Sequence, residues 1–267
     1  MHVSYGEMAR SAPEVLRMLG CPYGQADDAV EALLYTQAAL GRGYTLIKMT
    51  DAARTADWKP VTLTQQADGT YVVDMRGAPL LLYAARLSDL VVARSVPEAE
   101  TRVHVRNTFG GWVVPYLGHR LARSGLSSTV RWSPPPRPSN LEAPESLAVT
   151  MCPDEGKPIE VMVSPGEAFQ ATPAEPASVP VGAFSAECTS GSDFGTLSIV
   201  ANEGRTRSSP KAGPLIGTAG VLRLDELMNT FVANGAEVDA AEHAAHYVGI
   251  AARLRVLSSE RSRAQAG

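Results

Sequence analysis

Cysteine is scarce in this chain of 267 residues. Cys21, Cys152 and Cys188 lie far apart and are odd in number, which argues against a disulfide framework or a paired-cysteine metal site and points to a reducing cytoplasm. A surplus of one charge is missing too. With 24 Lys and Arg against 28 Asp and Glu, and no basic block, nucleic acid and anionic membrane are poor partners. No window approaches the roughly 18 uninterrupted apolar residues of a membrane span. The opening MHVSYGEMARSAPEVLRMLG lacks the apolar stretch of a signal peptide. The phosphate-gripping patterns GxGxxG and GxxxxGK[ST] are also missing, since "GTAG" and "GRGY" fit neither. No GxSxG elbow is present to start a hydrolase triad.

What remains is a globular composition, 45% hydrophobic and 19% charged, sufficient for one large domain or two lobes. Ser4 and Glu7 form a capping box ahead of apolar residues at Met8, Val15, Leu16 and Leu19, which predicts a first helix. "QADDAVEALLYTQAAL" predicts a second, stopped by Gly-Arg-Gly. "VTLTQQ" and "TYVVDM" alternate around Ala67-Asp68-Gly69 as a hairpin. A helix over "APLLLYAARLSDLVVARS" leads to a strand, "VHVRN", and then to a helix over "VVPYLGHRLARSG". "SSTVRW", "LAVTM", "IEVMV" and "TLSIV" read as further strands, and "LRLDELMNTFVANG" and "DAAEHAAHYVGIAARLRV" as closing helices. The proline-rich "SPPPRPSNLEAPES" cannot enter a sheet interior and is a candidate wall of a site. Helical ends around a strand-rich middle predict an α/β or α+β protein. Residues 1–58 and 221–267 would form a helical domain, and 59–220 a sheet-containing, ligand-binding one.

The histidines offer little chemistry by pattern alone. His243 and His246 in "AEHAAH" share a helical face beside Glu242, a metal-compatible spacing, but no third ligand lies near in sequence and a structural role is expected. His119, in an amphipathic helix near Tyr116 and Arg120, is expected to be a partly exposed surface residue. His104 alternates with Val103 and Val105 and points off their face.

"VHVRNTFGGW", residues 103–112, stands apart. A strand ends on Asn107 and Thr108, meets Phe109 and the pair Gly110-Gly111, and gives way to a helix. Such a handover bares main-chain amides with partial positive charge. Asn107 and Thr108 add polar groups there, and Phe109 and Trp112 add flat apolar faces. Either this is a plain connection or the amides hold an anionic or aromatic ligand.

Around this stretch the chain resembles the type-2 malate/L-lactate dehydrogenase family. That family has a strand ending V-R-N-S-N-H-F-G, a long helix, a strand, a loop of the type G-T-N-P, and two strands about a Pro-containing turn. Here "VHVRNTFGGWVVPYLGHRLARSG" precedes "LSSTVRWSPPPRPSN" and "ESLAVTMCPDEGKPIEVMVSP" in the same order, and both chain ends are similar as well. A small bacterial branch with degenerate motifs is closer still. The resemblance implies a non-Rossmann fold with a central mixed or antiparallel sheet flanked by N- and C-terminal helices. It also implies a homodimer that uses NADH or NADPH to reduce a small 2-keto or cyclic imino acid, with Asn107, Phe109 and Gly110 near the cofactor and Asn140 a weaker match. Gly111, by its bared amide, joins that cofactor-binding set.

Two family histidines have no counterpart. The one in D-S-H-G would fall at "GYTLI", and Asn107-Thr108-Phe109-Gly110 has Thr108 in place of the one in N-H-F-G. A ketone becomes an alkoxide that needs a proton, whereas a protonated imine already carries one. The losses therefore favour an imine substrate. Tyr44, Lys48 and Thr108 are the catalytic candidates, Tyr44 and Lys48 to donate a proton or orient a carboxylate. The plain alternative has Tyr44 packed and Lys48 solvated. A redox-neutral enzyme of the same ancestry (lyase, isomerase or ring-forming) and a non-catalytic binding subunit are the other readings.

Overall fold

Ser4 caps the first helix as its spacing predicts, its hydroxyl accepting the Glu7 amide at 3.2 Å. It follows a two-residue strand β1 (His2–Val3) and starts helix α1 (Tyr5–Met18), which buries Met8, Ala12, Val15 and Leu16 on one stripe. The computed structural model describes residues 1–21, 23–52, 60–97, 99–136, 141–143, 146–150, 157–165, 194–202, 220–240 and 243. Helix α2 (Tyr23–Leu40) is followed by α3 (Gly43–Ala52), an additional helix beyond the Gly-Arg-Gly stop. Strands β2 (Thr62–Gln65) and β3 (Tyr71–Asp74) pair antiparallel, and the Asp68 carboxylate takes the Thr70 amide at 2.9 Å to hold their turn.

Helix α4 (Leu80–Arg94), strand β4 (Glu100–Thr108), a 3-10 turn (Gly111–Val113) and helix α5 (Val114–Arg123) come next. Then follow β5 (Ser127–Ser133), β6 (Ser146–Thr150), β7 (Val161–Pro165), β8 (Gly195–Asn202), β9 (Gly220–Leu222), α6 (Leu224–Asn234) and β10 (Ala236–Glu237). The expected closing helix after residue 238 lies almost wholly outside the described residues.

The result is a mixed α/β fold with an eight-stranded sheet in the order β2-β3-β4-β8-β5-β6-β7-β9. Among the described strands only β3 and β4 pair in parallel; α4 makes that crossover. β8, late in sequence, is inserted between β4 and β5 and runs antiparallel to both. Its alternation places Leu197, Ile199 and Ala201 in the core. Helix α5 lies on β5, β6 and β7, and α4 on β4, while α2 covers both helices and meets α1, α3 and α6. The ends of the described chain join where β1 pairs with β10. Among the described residues no helix is long and apolar enough to cross a membrane.

Candidate functional site

The end of β4 is shaped by Asn107, whose φ of 58° lies in the left-handed region that Asn tolerates better than most residues. The register with β8 shifts between Val105 and Thr108, so the strand bulges at this point. The turn after β3 runs alongside and absorbs its polar groups. Met75 donates its amide to the Arg106 carbonyl at 3.0 Å, Gly77 to Asn107 at 2.7 Å, and Leu80 to Phe109 at 3.0 Å. The Asn107 side-chain amide donates to Asp74 at 2.9 Å, and the Thr108 hydroxyl donates to the Ala78 carbonyl at 2.8 Å. Burial works to raise the Asp74 pKa. The hydrogen bonds from Asn107 and the Arg76 amide, with the Arg106 guanidinium, outweigh it and hold the carboxyl below its ordinary range.

The glycine pair follows. Gly110 has φ 88°, a conformation that favours glycine, and a Cβ on Gly111 would overlap the Trp132 indole. Their amides are not bare, which corrects the sequence expectation. Glu142 Oε2 takes the Gly110 amide at 3.1 Å, and Oε1 takes that of Gly111 at 3.0 Å and of Ala143 at 2.8 Å. Burial raises the Glu142 pKa, and the three amides oppose that rise. Two indoles fasten the same short segment: Trp112 Nε1 donates to the Leu141 carbonyl at 2.8 Å and Trp132 Nε1 to that of Ala143 at 3.2 Å. Residues 141–143 of the proline-rich segment border the glycine turn and plug it with a carboxylate. Nor are the aromatic faces free: Phe109 is buried, and Arg42 stacks over Trp112 at 5.1 Å.

Of the remaining candidates, Asn140 lies outside the described residues. Tyr44 and Lys48 sit on α3, which touches the glycine turn through Leu46, whose Cδ2 lies 3.3 Å from where a Gly110 Cβ would be. Two residues along a helix are about 200° apart, so Tyr44 faces the other way. Tyr44 is buried, packs edge-on to His243 with centroids 5.4 Å apart, and is pushed up to about 12 by burial, with Glu7 adding to the effect. Lys48, four residues on, shares the Tyr44 side and is half-buried. The fold thus brings Asn107, Thr108, Phe109, Gly110 and Gly111 together and turns Tyr44 and Lys48 away from them.

His119 is a correction: at 1% exposure it is fully buried, not at the surface. It belongs to a polar seam between helices. Its Nε2 approaches Asp225 Oδ1 at 3.2 Å, and Tyr35 donates to the same oxygen at 3.0 Å. Nearby, Glu31 accepts from Tyr116 at 2.8 Å and from Arg120 at 2.9 Å, and Arg120 reaches Asp89 at 3.2 Å. Burial holds the His119 pKa below the ordinary value; Asp225 works against it. His104 is also buried and its pKa also lowered by burial. His243 is buried, His246 lies outside the described residues, and among the described residues no group of three metal-ligating side chains gathers.

A nicotinamide cofactor brings anionic phosphates. The amides that would cradle them already hold a carboxylate, so the turn as folded does not fit that part of the cofactor, and no chemical step follows from it. Glu142 was missed by sequence reading, although its loop was singled out as a wall. The available signal was a turn favouring an anion with an acidic residue in the segment beside it.

No protein-family model matches the sequence, and no curated protein matches it by sequence. Solved structures do match in fold. A presumed malate/lactate dehydrogenase from E. coli superposes over 94% of this chain and 95% of its own, with TM-score 0.64 at 12% identity. Sulfolactate dehydrogenase from Methanocaldococcus jannaschii superposes over 95% and 97%, with TM-score 0.56 at 14% identity. A delta1-piperideine-2-carboxylate reductase from Pseudomonas syringae pvar. tomato covers 92% and 99%, with TM-score 0.57 at 12% identity. The sequence-stated resemblance is therefore matched at the level of architecture: this chain has the malate/lactate dehydrogenase-like fold.

Proposed function

We propose that the chain is a nicotinamide-dependent reductase of a small acid, with an imino acid favoured over a keto acid, using NADH or NADPH and acting as a homodimer. What supports the reading is the near full-length likeness of its architecture to dehydrogenases and to an imino-acid reductase. The preference for an imine rests on what the glycine turn lacks. Thr108 is spent on the Ala78 carbonyl, and neither residue next to it in sequence is a histidine that could supply a proton. A protonated imine does not ask for one. In this reading Asn107 and Phe109 shape the turn, and Gly110 and Gly111 meet a ligand only after Glu142 has left. Tyr44, which stays protonated, and Lys48 are placed on the opposite side of α3.

One observation favours a second reading. The polar groups at residues 107–111 are taken up internally, as in a redox-neutral descendant or a non-catalytic subunit of the same ancestry. Titration with NADH and NADPH separates the two readings. A reductase should enhance nicotinamide fluorescence and raise the melting temperature, because a ligand that binds only the native state stabilises it. No change in either signal at millimolar cofactor would eliminate the reductase reading in favour of the second.

A further inference from the structure

The seam around His119 gathers ionisable side chains from α2, α5 and α6. His119 on α5 is 1% exposed, while Asp225 of α6, whose Oδ1 stands 3.2 Å from its Nε2, is 53% exposed. Asp225 therefore stands between the imidazole and water on that side. Tyr35 of α2 donates to the same oxygen at 3.0 Å, and its ring lies 5.2 Å from the imidazole. Burial, and then Asp225, push the Tyr35 hydroxyl up to about 12, so it remains a donor through the neutral and mildly acidic range.

The arrangement suits a neutral imidazole better than a charged one. An imidazolium carries a proton on each nitrogen, and Nδ1 is buried with no hydrogen-bond partner among the described residues. A second buried N–H would go unmet, at a cost. Asp225 of α6 and Glu31 of α2 attract a proton to the ring, and Arg123 of its own helix repels one. Both carboxylates reach water, which screens them, whereas the ring is desolvated. On the sheet side, where Gly118 of α5 presses, the neighbours are Thr150, Ala148 and Val161, none of them ionisable. Helix α6 is lightly fastened: of its 11 residues, Leu224 and Phe231 are the fully buried ones, and Phe231 meets Tyr5 edge-on at 5.7 Å. The ion pair of Arg223 with Glu160 is half-exposed at both ends and adds little. An element with so few buried apolar side chains opens at low cost.

We propose that Tyr35, His119 and Asp225 form an acid-released latch on α6, closed over the neutral imidazole and opened when the ring takes up a proton. In the open form the first turn of α6 has lifted from α2 and α5, water reaches the ring, and the eight-stranded sheet stays folded. An exposed imidazole binds a proton near about pH 6.5 and the covered one only at lower pH, so acid favours the open form. The inference stands whether or not the chain reduces anything.

Hydrogen exchange of the full chain, corrected for the intrinsic pH dependence of amide exchange, tests it. Opening of residues 224–231 rises about fivefold from pH 6.5 to 5.5, while the amides of β8 keep their protection. His119→Gln removes the titrating group and flattens that rise. Tyr35→Phe gives up one bond to Asp225, so it opens more at every pH with the slope unchanged. In the wild type at pH 5.5, imidazole resonances show His119 still neutral, where an exposed histidine is mostly charged. Equal loss of protection in α6 and β8 would mean that the whole chain unfolds, and would overturn the latch. So would a slope that survives in His119→Gln, a Tyr35→Phe protein as well protected as wild type, or a charged His119 under a protected α6. If His119→Gln does not fold, Tyr35→Phe and the wild-type imidazole resonances decide.

Discussion

Asn107 does two jobs with one side chain. It accepts a left-handed backbone at φ 58°, and it ties β4 to Asp74 through a 2.9 Å hydrogen bond. Separating these contributions is straightforward. Asn107→Ala loses both and should cost about 2 kcal/mol in denaturant unfolding. Asn107→Gly keeps the backbone freedom and loses only the bond, so it should cost about half as much. Equal costs would mean that backbone conformation contributes nothing at this residue.

Helix α3 shows how much an element decides once it is placed. Its sequence, GYTLIKMTDA, follows a glycine stop, so nothing local separates it from a loop, yet it turns Leu46 toward Gly110 and Tyr44 toward His243. Leu46→Val should therefore move the Gly110 amide resonance, whereas Tyr44→Phe should leave it in place; the reverse pattern would contradict this facing. Most elements were legible because they carry their own periodicity and punctuation: the capping box of α1, the Asp68-Gly69 hairpin turn, the alternation of β8. The insertion of β8 between β4 and β5 was not legible, since pairing over such distances leaves no local mark. The turn at Gly110-Gly111 was legible as a place where amides converge. That Glu142 fills it was not, because a buried carboxylate and a solvated one look alike in sequence.

Across the molecule, burial of His119 and His104 links the helix layer and the sheet to pH. Both are held below the ordinary histidine pKa, first by loss of solvent. Around His119, Asp225 and Glu31 favour its charged form and Arg123 disfavours it, yet burial prevails. Unfolded, each titrates near about 6.5, so the unfolded chain binds more protons once pH falls below that point. Stability from these groups is present above the unfolded pKa and is lost as pH falls through the folded one. The melting temperature should drop between about pH 7.5 and 5.5, and His119→Gln should flatten that drop. An unchanged slope would mean that His119 takes up a proton without cost. The ion pairs of Arg120 in the same seam are partly exposed and contribute little beyond orientation.

The carboxylate plug also bears on how such a chain can diverge. Replacing Glu142 alone strands three amides, and a side chain at either glycine disturbs the backbone that presents two of them. The two segments, about thirty residues apart, can drift only in step. In descendants, a lineage that loses the acidic residue should have changed its glycine corner as well, or should have acquired something else to sit there.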